Sequence, residues 1–132
     1  MRLAALASLV LIAASPALAK PLTVGMGETW LFTVTQGQPS NARKATSAAK
    51  PAIGEIKVTL TSLMGTTMTV TNNSKFDYAY RAMLILPDGQ AGPSKSCAVP
   101  ANGRLAMEHW PRRVAAVRLS DFKQAPARSL CP

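Results

Sequence analysis

The residues that could perform chemistry are few and widely spaced along the chain. Histidine occurs once, as His109, and there are six acidic residues. These are Glu28, Glu55, Asp77, Asp88, Glu108 and Asp121. Nucleophilic catalysis needs a nucleophile beside a base, and no local motif encodes such a pair. Because Glu55 is expected on the solvent side of a strand and Asp88 in a turn, we predict that the protein is not an enzyme.

A soft-metal site is one alternative for the histidine. Met107 and His109 are two positions apart, so on a strand they share a face. Thioether and imidazole groups together suit copper. Leu105 lies on the same face, however, which is typical of a core strand with a hydrogen-bonded histidine. We therefore expect core packing and no cofactor, and we keep copper carriage as an alternative function.

The string around the histidine also contains a tryptophan next to basic residues. Trp110 should face away from His109 and lie on the wetter side of its strand. A partly exposed tryptophan beside Arg112 and Arg113 is a typical anchor for a protein surface or an anionic glycan. The alternative is a tryptophan that covers a sheet edge before Pro111.

The N-terminal residues predict export. Arg2 precedes an apolar run at residues 3–14, and residues 17–19 form a small-x-small cleavage site, Ala-Leu-Ala. The run is shorter than the roughly 20 residues that span a membrane. We expect a signal peptide at residues 1–19 and a periplasmic or secreted domain at 20–132. No later stretch is long and apolar enough for a transmembrane segment.

Two cysteines, Cys97 and Cys131, follow the predicted cleavage site. An even number of cysteines in an oxidising compartment favours one disulfide bond. It would close a loop of about 34 residues and contribute roughly 3–4 kcal/mol to stability. The bond is expected to be structural, because the close spacing of a redox-active pair is missing.

Alternating apolar residues predict strands along most of the chain. The patterns at 29–35, 56–60 and 67–71 bury one face and leave the other wet. Gly65 marks a hairpin turn between the second and third of these strands. The run at 77–86 is apolar on both faces, so it is either central in the fold or covered by a partner.

The segment at 37–52 is polar and basic and has no apolar periodicity, so it is expected to be a flexible loop. About seven strands with turns between them predict a single all-β domain, an immunoglobulin-like antiparallel β-sandwich. A small β-barrel is the alternative.

Residues 69–90 (TVTNNSKFDYAYRAMLILPDGQ) resemble small exported immunoglobulin-like domains of the FxLYD type. In those domains a strand ends in Asn-x-Ser, the next strand carries alternating aromatic and aliphatic residues, and an Asp-Gly turn follows. The chain departs from this pattern at residues 86–87, where an aromatic residue would precede the aspartate. The resemblance implies the sandwich fold and a binding or accessory role.

The net charge of +9, or +8 once Arg2 is removed with the signal peptide, narrows the class of partner. Such a charge favours anionic surroundings, which in an envelope include anionic lipid, lipopolysaccharide and acidic proteins. Nucleic acid is not expected, because the protein is exported and has no basic stripe interleaved with aromatic residues.

These observations predict an accessory protein of the cell envelope that binds another protein. The docking surface is expected on the doubly apolar strand or around the tryptophan. The candidate residues are Tyr78, Tyr80, Met83, Ile85, Trp110, Arg112 and Arg113. Attachment to anionic lipid or lipopolysaccharide is a further alternative.

Overall fold

The computed structural model describes residues 19–125, and these form two layers of β-strands. The nine strands in this part of the chain are β1 (Leu22–Gly25), β2 (Thr29–Thr35), β3 (Gln38–Ala45), β4 (Ile56–Thr61), β5 (Thr66–Asn72), β6 (Tyr78–Ile85), β7 (Ala91–Ser94), β8 (Arg104–Trp110) and β9 (Ala116–Gln124). No described residue is helical. The predicted all-β class is confirmed.

The strands form a four-stranded sheet in the order β1-β9-β6-β7 and a five-stranded sheet in the order β3-β2-β4-β5-β8. Every pair of neighbouring strands is antiparallel. The two sheets are separate, so the predicted sandwich is confirmed and the alternative of a closed barrel is wrong. Strand β8 lies at the edge of the five-stranded sheet, which matters for the site described below.

Alternation along the strands explains where the core lies. Ile56, Val58 and Leu60 of β4 are completely buried, as the sequence pattern predicts. The inward residues of β5, Met68 and Val70, pack in the same cluster. Because successive side chains of a strand point to opposite faces, the residues between them face outward.

Aromatic rings join the two sheets at the centre of the core. Phe122 of β9 packs edge-on against Phe32 of the opposite sheet, with the ring centroids 5.6 Å apart. It also contacts Tyr78 edge-on at 5.9 Å and stacks on Tyr80 at 5.3 Å. Such ring pairs stabilise beyond the apolar area that they bury. This cluster therefore fixes β6 and β9 over β2.

The predicted loop at 37–52 is wrong over its first half. Gln38–Ala45 form β3, an edge strand paired with β2. The sequence pattern did not indicate this strand, because polar and not apolar side chains link β3 to β2. The Ser40 hydroxyl lies 2.9 Å from the Thr33 hydroxyl and 2.8 Å from the Thr35 hydroxyl. An edge strand with one solvated face needs no apolar periodicity.

The chain between β7 and β8 forms no regular strand. Val99 makes only an isolated bridge with Tyr78. The strand that pairs with β6 comes earlier, at Ala91–Ser94. Gly65 lies in the predicted hairpin turn with a φ of 111°.

Two predictions fall outside the described residues. The predicted signal peptide covers residues 1–19, of which all but the last precede the described range, and Cys131 follows that range. Both the cleavage and the Cys97–Cys131 bond therefore stay predictions. Within residues 19–125, no helix has the length and the apolar content to cross a membrane.

Candidate functional site

The outward face of β5 and β8 is the most distinctive surface of the described residues. Neighbouring side chains on the two strands are matched by the register: Leu105 opposite Thr71, Met107 opposite Thr69, and His109 opposite Thr67. We call these six residues the β5–β8 face. They point outward because Met68, Val70 and Trp110, at the alternate positions, pack in the core.

The β5–β8 face exposes apolar side chains to water. Leu105 is 55% exposed and Met107 is 62% exposed, and His109 is exposed beside them. The expected core packing of this side of β8 is therefore wrong. The sequence could not assign the two faces, because apolar residues occur on both and β8 lies at an edge where only one side is covered.

The β5–β8 face is also free of charged residues, although the chain carries +9. Its six members include no lysine, arginine, aspartate or glutamate. Thr59 and Thr61 of β4 extend it, since they pair with Thr69 and Thr67. The basic residues lie at its ends. Lys57 lies opposite Thr71, and its ammonium group donates a hydrogen bond to the carbonyl of Ser47.

Trp110 does not have the exposure that the sequence predicts. It is 91% buried, and its indole N–H donates a 2.7 Å hydrogen bond to the Ser94 hydroxyl. Glu108 shares its side of β8, where it accepts a 2.6 Å hydrogen bond from the backbone N–H of Cys97. The segment around residues 94–97 therefore covers the side of β8 that was expected to be wet. Trp110 acts as a core residue and not as a surface anchor.

The doubly apolar strand β6 is central in its sheet, between β9 and β7. Tyr78 and Tyr80 point into the core and are 8% and 9% exposed, so little of either ring is accessible to a partner. Burial raises the pKa of both phenols, and the nearby Glu108 raises that of Tyr80 further. Met83 and Ile85 point outward and are half-buried.

The surroundings of Met83 and Ile85 differ from those of the β5–β8 face. Met83 lies opposite Arg118 of β9, and Arg81, two positions earlier on the same face of β6, is exposed. This outer face is therefore basic and only partly apolar. Of the predicted docking residues, the structure leaves Met83, Ile85, Arg112 and Arg113 on the surface.

The acidic residues have local roles. The prediction that Glu55 faces solvent is wrong, because its side chain is buried. Both of its carboxylate oxygens accept hydrogen bonds from the Arg43 guanidinium, and one of them also accepts from the N–H of Ala52. These contacts lower the pKa of Glu55. A hydrogen bond from Lys44, with others from the Gly25 N–H and the Trp30 indole, lowers the pKa of Glu28.

The other four carboxylates accept hydrogen bonds as well. Asp77 accepts from the N–H of Ala101, Asp88 from that of Gln90, and Glu108 from that of Cys97. Asp121 accepts from the Gln38 amide at 3.0 Å. Every acidic residue of the chain therefore serves a turn, a loop or a strand pairing.

The metal alternative finds its two predicted ligands on one face, as expected. Met107 and His109 are both exposed, and the His109 Nδ1 lies 3.2 Å from the Thr67 hydroxyl. No group of three or more His, Cys, Asp or Glu residues within 19–125 is arranged to hold a metal ion. The neighbours of the pair on β5 are threonines.

Comparison with known proteins gives no relative: no family model, no curated protein and no solved structure matches this chain.

Proposed function

We propose that this is a non-catalytic accessory protein of the cell envelope that docks on another protein through the β5–β8 face. One observation carries the proposal: Leu105 and Met107, each more than half exposed, are neighbours on the β5–β8 face, whose six residues are all uncharged types or histidine. Depletion of charge at the centre of a patch, together with exposed methionine, is typical of protein interfaces. The local use of all six carboxylates supports the absence of catalysis.

The charges around the face define the partner. Lys57 pairs with Thr71, so it lies at the Leu105 end of the face. Arg112 and Arg113 follow the other end of β8. A partner surface that is apolar at its centre and acidic at its rim complements this arrangement. A second copy of the chain would bring like charges together and is disfavoured.

The test is cross-linking from a defined position in intact cells. A photoreactive phenylalanine analogue replaces Met107, and in a parallel strain it replaces Met83 on the opposite sheet. Cross-linked proteins are purified in low and high salt and identified by mass spectrometry. We expect one acidic protein, retained in high salt, from position 107 and not from position 83.

Paired substitutions on the two sheets provide the control. Leu105→Asp with Met107→Asp should abolish the complex, whereas Met83→Asp with Ile85→Asp should leave it intact. Circular dichroism checks that each variant is folded. The proposal fails if the complex survives the first pair, and the β6 face becomes the docking surface if only the second pair removes it.

Copper carriage is the competing function for part of the same face. The residues paired with Met107 and His109 on β5 are threonines, whose hard hydroxyl oxygens do not suit a soft metal. Titration of Cu(I) into the purified protein, compared with the His109→Gln variant, decides the matter. Binding tighter than micromolar that disappears in the variant would replace the docking proposal.

A further inference from the structure

The hairpin between β4 and β5 carries two exposed apolar residues at its tip. Leu63 is 66% exposed and Met64 is 89% exposed, and they are adjacent at the tip. A turn is normally built from polar residues, glycine and proline. Apolar side chains at such a place contribute little to the core. They lie at one end of the sandwich, away from the centre of the β5–β8 face.

A second segment is fixed against this tip. A Cβ on Gly65 would lie 2.3 Å from the carbonyl oxygen of Trp110, so the hairpin backbone approaches residues 110–111 very closely. The Thr66 hydroxyl donates a 2.9 Å hydrogen bond to the Arg112 carbonyl and accepts one of 3.1 Å from the N–H of Val114. The tip and the Arg112–Arg113 pair are therefore held together as one unit.

We propose that this unit anchors the protein on the surface of an anionic phospholipid bilayer. Leu63 and Met64 insert at the boundary between headgroups and acyl chains, and Arg112 and Arg113 contact the lipid phosphates. We call these four residues the hairpin anchor. The inference goes beyond protein docking, because Leu63 and Met64 lie outside the β5–β8 face and the partner is a lipid surface, although Arg112 and Arg113 border both sites.

Size and charge favour a lipid surface over a second protein here. A stable protein interface buries about 1,200–2,000 Å² in total, more than two side chains on a convex tip provide. Shallow insertion of a few apolar residues beside basic ones is sufficient for membrane attachment. Both arginines are exposed.

The ion pairs within residues 19–125 do not involve the two arginines of the hairpin anchor. Glu28, near this end, pairs with Lys44, and the other pairs join Arg43 to Glu55 and Arg81 to Asp121. The charges of Arg112 and Arg113 are therefore available to lipid phosphates. The net charge of +9 adds attraction at longer range.

The test measures sedimentation of the purified protein with large unilamellar vesicles, after mass spectrometry has assigned its N terminus. The vesicles contain either phosphatidylcholine alone or phosphatidylcholine with phosphatidylglycerol. We expect binding to the mixed vesicles only. Leu63→Ser with Met64→Ser should weaken it about ten-fold or more, as should Arg112→Gln with Arg113→Gln.

Matched variants elsewhere on the protein distinguish binding through the hairpin anchor from non-specific hydrophobic adsorption and from attraction by the net charge. Ile53, at the opposite end of the sandwich, is 95% exposed, so Ile53→Ser removes a comparable apolar side chain. Arg118→Gln with Lys123→Gln removes the same charge from exposed positions of β9. Both controls should change vesicle binding less than two-fold.

Insertion itself has a direct readout. A tryptophan placed by Met64→Trp should be quenched by brominated lipid, whereas one placed by Met107→Trp should not. Equal losses for all charge variants, or binding that is unaffected by the tip variants, would overturn the proposal. So would tip variants that lose the protein cross-link from position 107 but still bind the vesicles. If the unmodified tip binds the vesicles as expected but position 107 gives no protein cross-link, the anchor stands and the docking proposal fails.

Discussion

Replacement of Gly65 by alanine tests how closely the β4–β5 hairpin is held against the segment after β8. Gly65 has a φ of 111°, which L-residues rarely adopt, and its new Cβ would lie 2.3 Å from the Trp110 carbonyl oxygen and 2.8 Å from the Pro111 carbonyl carbon. Both neighbours are backbone atoms, so no side-chain rotation relieves the overlap. We expect Gly65→Ala to cost about 1–3 kcal/mol from the backbone conformation and about 2 kcal/mol more from the forced movement.

Gly89→Ala isolates the conformational part of this cost. Gly89 has a φ of 88°, and a Cβ there would meet no atom within 4 Å. Gly89→Ala should therefore lose only the conformational share, about 1–3 kcal/mol. Urea unfolding of both variants, read by tryptophan fluorescence, gives the two free energies, provided that the slope m is unchanged. If the two variants are equally stable to within about 0.5 kcal/mol, the close approach is refuted.

Three further predictions concern the core, the buried carboxylate and the cysteines. Phe122→Ala should destabilise by about 3–5 kcal/mol in urea unfolding, because it removes the ring that contacts both sheets, whereas a loss below about 1 kcal/mol would contradict the central cluster. The lowered pKa of Glu55 means that its contribution to stability is present above the unfolded pKa of about 4.3 and is lost as pH falls through the lower folded value. Glu55→Gln should therefore weaken the fall in thermal stability between about pH 5 and pH 2, and an unchanged pH profile would exclude this ion pair as its source. Cys97→Ser with Cys131→Ser should cost roughly 3–4 kcal/mol and abolish the effect of a reductant on stability, whereas a reductant effect of the same size in the variant would show that it acts elsewhere.

The two proposed surfaces differ in what they demand of the protein. The β5–β8 face is part of a regular sheet, so its side chains are positioned by strand pairing and by the core beneath them. The hairpin anchor depends instead on one glycine contact and on the hydrogen bonds of Thr66. Gly65→Ala should therefore weaken vesicle binding more than protein docking.

The strands β4 and β5 could be predicted from the sequence. Alternation identified the buried residues of β4 and β5, and Gly65 identified the turn between them, because a strand repeats every two residues and a tight turn needs a positive φ. The six carboxylates and the single histidine also indicated, without a structure, that catalytic groups are scarce. These conclusions rest on local chemistry, which the order of residues carries directly.

The existence of β3, the burial of Glu55 and the outward face of β8 depend on the tertiary neighbours of each strand, which the sequence does not indicate. Strand β3 forms because Ser40 finds the hydroxyls of β2, and Glu55 is buried because Arg43 on that strand reaches it. Both faces of β8 read as plausible cores. Only the packing of residues 94–97 against Trp110 decides that Leu105 and Met107 face water. Whether a side chain is buried depends on which other surface packs against it. An edge strand that is covered on one side only can therefore be recognised as a candidate binding surface only from the tertiary structure.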